Sequence, residues 1–68
     1  MEDIACIEMG VTPKGKILYM AKILKPGETK GAYLDKQHYS IEEAEKAIRE
    51  KSPNADIISA YEFRKLEK

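Results

Sequence analysis

Between Lys16 and Lys25 the chain reads KILYMAKILK, and the alternation of a strand puts apolar side chains on both of its faces. Ile17, Tyr19, Ala21 and Ile23 share one face, while Leu18, Met20 and Leu24 share the other. The preceding run, residues 3 to 9, sets Ile4, Cys6 and Glu8 against Ala5, Ile7 and Met9, which predicts a strand with one wholly apolar face. Gly10 to Gly15 includes Thr12, Pro13 and Lys14, a turn composition, so the two strands are expected to form a hairpin. Pro26 and Gly27 stop the second strand, Glu28 to Gly31 form another polar turn, and Ala32 to Lys36 suit a short third strand.

The period then changes. Ser40 and Glu43 have the spacing of a capping box, in which the hydroxyl accepts from the amide three residues on and the carboxylate reaches back. Ile41, Ala44, Ala47 and Ile48 recur on one stripe of the helix that follows. Glu42 and Glu43 fall in its first turn and Arg49 and Lys51 in its last, with Glu42/Lys46 and Glu45/Arg49 spaced for ion pairs. Pro53 ends it. Asp56 to Arg64 again alternates, Ile57, Ser59, Tyr61 and Phe63 against Ile58, Ala60, Glu62 and Arg64, and reads as a final strand. The charged tail Lys65 to Lys68 is expected to fray.

These elements predict an α+β fold: a small mixed three- to four-stranded sheet, in the order β-β-(β)-α-β, with one helix packed on one face. A right-handed crossover through the helix sets the last strand parallel to the third, beside either the first or the third. The helix assigns Ile17, Tyr19, Ala21 and Ile23 to the core, under Ile41 and Ile48. Leu18, Met20 and Leu24 are left on a face that needs cover from outside the chain, and with Lys16 and Lys22 they are the expected partner-binding residues.

Sixty-eight residues make one domain, 1–68, of a size that buries only about 60% of its unfolded surface. Twelve basic and twelve acidic side chains cancel, so no long-range field favours polyanions or anionic membranes. There is no run of ~20 apolar residues to span a bilayer, and the acidic start of the chain does not suit a signal sequence. The lone Cys6 excludes an internal disulfide and fits a reducing compartment, so the expected location is cytoplasmic.

The motif Gly10-Val11-Thr12-Pro13-Lys14-Gly15-Lys16 has the spacing of a phosphate-binding loop up to its last position. Such a loop needs Ser or Thr after the lysine to hold Mg²⁺ and a helix to follow; here Ile17 and a strand follow, so the motif reads as a hairpin turn. His38, the one histidine, stands three residues after Asp35 with nothing to complete a catalytic or metal site, and reads as an exposed or loop-packing residue. Cys6 reads as a small buried apolar side chain, and Glu42, Glu43 and Glu45 as helix-capping and ion-pairing groups. No cofactor, metal or catalytic residue is assigned, and the chain is not expected to be an enzyme.

Two functions remain. The first is a protein-interaction module that self-associates as a homodimer, or binds a protein partner, through the sheet face the helix leaves open. The second is a nucleic-acid-binding or transcription-linked accessory domain, with Lys14, Lys16, Lys22 and Lys30 as phosphate contacts. In size and strand-helix-strand arrangement the chain is similar to many small phage and mobile-element regulators that bind a host protein, a likeness of scale from which no residue's role carries over.

Overall fold

The computed structural model describes residues 2–67. The first two strands, β1 (Ile4–Val11) and β2 (Ile17–Leu24), pair antiparallel along their full length, from Ile4 opposite Leu24 to Val11 opposite Ile17. The connecting turn is tighter than the sequence suggested, because Gly10 and Val11 stay in the strand. Gly15 donates to the Thr12 carbonyl at 2.8 Å and adopts φ 82°, a left-handed conformation that favours glycine, while Pro13 sets the first turn position. The Thr12 hydroxyl accepts from Lys16 N–H at 3.0 Å. The phosphate-loop spacing is therefore occupied by a hairpin turn.

Strand β3 (Ala32–His38) pairs antiparallel with β2 and carries a bulge: Tyr33 stands opposite Lys22 and Gln37 opposite Met20, so Leu34, Asp35 and Lys36 face Ala21 alone. Helix α1 (Ile41–Lys51) begins as predicted at Ser40, whose hydroxyl accepts from Glu43 N–H at 3.1 Å. The Glu43 carboxylate reaches one residue further back than a capping box requires and accepts from Tyr39 N–H. Arg49 does not pair with Glu45; its guanidinium donates to the carbonyls of Pro53 and Ala55 and so pins the turn after the helix.

Asp56 to Arg64 departs from the single strand predicted there. Only β4 (Asp56–Ile57) pairs, parallel to β1, completing a mixed sheet of order β3-β2-β1-β4. A second helix, α2 (Ala60–Leu66), follows at once. Ser59 caps it by accepting from Glu62 N–H, and Ile58 before the cap joins the same apolar cluster as Phe63 in the fourth helical position, the arrangement of a hydrophobic staple. Lys65 and Leu66 complete this helix and Glu67 caps it, while Lys68 lies outside the described residues.

The two helices pack on opposite faces. Under α1, Ile48 meets Ala5, Ala21, Ile23 and Ala55, and the small alanines let the helix approach the sheet. Under α2, Phe63 meets Cys6 and Leu24, with Ile4 and Ile58 beside them. Among the described residues none with a polar or charged side chain is buried.

Candidate functional site

The length of the hairpin decides where the open surface lies. Strands of eight residues run about 26 Å, whereas α1, with eleven residues, is about 16 Å long, and α2, with seven, about 10 Å. Both helices pack at the end of the hairpin holding Ala5, Cys6, Ile23 and Leu24. The turn end projects beyond them, in a molecule whose long axis is 39 Å and whose short one is 18 Å.

On the α1 side of this projecting end, Met9 is 65% exposed, Val11 66% and Ile17 47%. Tyr39 and Ile41, where the chain enters α1, are also exposed. The assignment of Ile17 to a core under Ile41 thus fails: Ile48 alone of the two isoleucines is buried, because α1 is too short to reach Ile17. On the opposite side Leu18 and Met20 are partly buried; their side chains lie over Gly10, within 3.9 and 3.4 Å of where its Cβ would stand.

The five expected partner-binding residues are therefore divided. Leu24 is buried beneath Phe63, because the tail folds back as α2 and supplies cover the sequence seemed to lack. Lys22 is engaged within the chain: its ammonium donates to Glu67 Oε1 at 3.0 Å and lies 5.0 Å from the Tyr33 ring centroid and 5.6 Å from that of Phe63. Glu67 also accepts from Gly31 N–H at 2.9 Å. That backbone bond, then the Lys22 ammonium, hold the Glu67 carboxyl below its ordinary pKa, and Glu67 in turn raises that of Lys22. Lys16 sits 4.8 Å over the Tyr39 ring at the turn end. Leu18 and Met20 remain at the open end, joined there by Met9, Val11 and Ile17, which the sequence reading placed elsewhere or did not single out.

The lysines suggested for nucleic acid do not converge. Lys14 lies in the turn before β2 and Lys30 in the turn after it, so the full length of that strand, about 26 Å, separates the two turns. The hydroxyl of the exposed Tyr33 donates to Glu8 at 2.5 Å.

Other chemistry is sparse. Cys6 is fully buried, and desolvation, helped by the Glu8 charge, pushes its thiol up to about 11, away from nucleophilic use. His38 borders an open groove of about 520 Å³ beside α1, shared by Lys36, Lys46 and Lys51 with Glu43 and Glu50, and its Nε2 is buried without a hydrogen-bond partner among the described residues. No group of three His, Cys, Asp or Glu side chains that could hold a metal ion occurs among the described residues. No helix among them is long and apolar enough to cross a membrane. Compared with known proteins, the chain matches no family model, no curated protein and no solved structure.

Proposed function

We propose that this protein is a non-enzymatic protein-interaction module that engages a protein partner through the projecting end of the β1–β2 hairpin. The observation that carries this reading is the concentration of large apolar side chains there: Met9, Val11 and Ile17 stand exposed on one face, and Leu18 and Met20 are only partly covered on the other. Contiguous apolar surface rimmed by charge marks association sites on small proteins. Lys14 and Lys16 at the turn, with Glu8 nearby, supply such a rim. Phosphate binding has less support, since Lys22 is held by Glu67 and the remaining lysines are dispersed.

The test compares the wild-type chain with Met9→Lys/Ile17→Lys, two changes on exposed positions that spare both buried clusters. With thermal midpoints matched, wild type should bind a protein that the double variant does not, either a different chain retained by the immobilised protein or another copy seen as a rise in mass at millimolar concentration. Equal binding by both, or none by either in both measurements, would remove the basis for this reading.

A further inference from the structure

The backbone of the same hairpin end carries a second, independent signal. Asp56 and Ile58 donate to the carbonyls of Asp3 and Ala5 at 2.8 Å, so odd-numbered residues of β1 direct their backbone polar groups toward β4. The other end of the strand agrees: Thr12 N–H donates to the Lys16 carbonyl at 2.8 Å, which makes the even-numbered residues the ones bonded across to β2. Because β4 stops at Ile57, the outward N–H and C=O groups of Ile7, Met9 and Val11 meet no strand among the described residues. The opposite edge of the sheet is blunted by the β3 bulge and by the exposed Asp35 and Lys36, as edges commonly are. The β1 edge has neither device, and its one charge, Glu8, is tied to Tyr33 on the face of the sheet.

We infer that this edge pairs with the same edge of a second copy, antiparallel about a two-fold axis at Met9, joining two four-stranded sheets into one. The inference rests on the interaction reading above and names its partner. The register follows from charge and hydrogen bonding. Centring on Met9 sets Met9 opposite Met9 and Ile7 opposite Val11 in both directions, three pairs that each exchange two bonds. It also sets Glu8 opposite Gly10, in the closely spaced positions between those pairs, so no carboxylates meet. Centring on Glu8 instead would put two carboxylates face to face, which is unfavourable, and centring on Gly10 keeps only the Met9–Val11 pairs. The apolar side chains of Met9, Val11 and Ile7 then interleave on one face, and the zero net charge of the chain opposes no encounter between copies. Pairing over so few residues falls below the ~1,200 Å² of standard interfaces, so the dimer is a weak one that forms as concentration rises.

Light scattering from micromolar to millimolar protein, with amide exchange measured at each concentration, tests the assignment. The mass should rise from 7.7 kDa toward twice that value, and amide protection should grow at Ile7, Met9 and Val11 while Glu8 and Gly10, already bonded to β2, change little. Met9→Pro removes an outward N–H and spares the β2 ladder; it should keep the mass at the monomer value, whereas Asp35→Asn, on the opposite edge of the sheet, should leave dimerisation intact. A chain that stays monomeric throughout overturns self-pairing, and the retention experiment above still decides the broader reading. A dimer that persists in Met9→Pro, or protection that rises without alternation, overturns edge pairing and leaves association through the side-chain surface.

Discussion

Replacing Phe63 with alanine removes the side chain on which the second core depends. The ring is 1% exposed and meets Cys6 and Leu24. An aromatic side chain buries about 150–250 Å², which at ~25 cal/mol per Å² amounts to roughly 4–6 kcal/mol, and Phe→Ala substitutions in cores cost about 3–5 kcal/mol. A chain of 68 residues has a total stability of roughly 3–10 kcal/mol, so the loss is a large share of the whole. Its effect is capped, however, by the free energy that holds α2 on the sheet, since a seven-residue helix can leave before the rest unfolds.

Cys6 reports which limit applies, because it is fully buried in contact with Phe63 and its thiol is pushed up to about 11. Modification by an aromatic disulfide reagent, followed alongside urea unfolding by circular dichroism, should show Cys6 reacting about 100-fold faster or more in Phe63→Ala, since ~3 kcal/mol corresponds to about two decades in the opening equilibrium. If the urea midpoint falls in step, α2 belongs to one cooperative unit; if it holds, α2 opens separately. A labelling rate within a few-fold of wild type together with an unchanged midpoint would refute the role assigned to Phe63.

Three further outcomes follow from the same region. Ser59→Ala removes the cap on α2 and should lower the free energy of unfolding by about 1 kcal/mol in urea titrations; no change would mean that the Glu62 N–H finds equal satisfaction in water. Gly31→Ala places a Cβ 2.6 Å from Phe63 Cζ and 3.1 Å from Lys22 Cγ, and should cost about 1–3 kcal/mol as the ring is displaced, with a smaller cost in a Phe63→Leu background. Equal costs in the two backgrounds would contradict the contact. Because the folded state lowers the Glu67 pKa, the stability from Glu67 is present above the ordinary carboxylate range and lost as pH falls through the lowered folded value. Acid titration of unfolding should therefore be shallower for Glu67→Gln than for wild type, and parallel curves would dissociate Glu67 from acid sensitivity.

The hairpin, the third strand and α1 were legible because each has a regular period and a chemical stop: Pro26-Gly27 for β2, the Ser40-x-x-Glu43 cap and Pro53 for α1. Residues 56 to 64 misled because a short amphipathic helix and an alternating strand share several apolar positions. Yet Ser59-x-x-Glu62 repeats the signature that located α1, with Ile58 and Phe63 at staple spacing, and Ala60, Phe63 and Leu66 recur every three residues. The bulge in β3 left no such trace, because nothing in Leu34-Asp35-Lys36 marks an irregular strand. For the candidate site, the two-faced apolar strand was legible in the sequence, but the direction in which cover is missing was not. Cover was missing along the length of the hairpin rather than across one face, and alternation reports faces but carries no information about how far a helix reaches.

That distinction bears on why the hairpin is as long as it is. Ala5, Cys6, Ala21, Ile23 and Leu24 make all the buried contacts that β1 and β2 contribute, and these lie at one end. The residues from Met9 to Leu18 add strand ladder but place none of the chain's large apolar side chains in either core. A hairpin two residues shorter on each strand would keep both cores and remove Val11 and Ile17 from solvent, where apolar side chains and an unpaired edge invite nonspecific aggregation. Folding alone gives no reason to retain them. The partner proposed above would, because the apolar surface and the unpaired backbone that burden the free chain are the two features a strand-pairing protein contact uses.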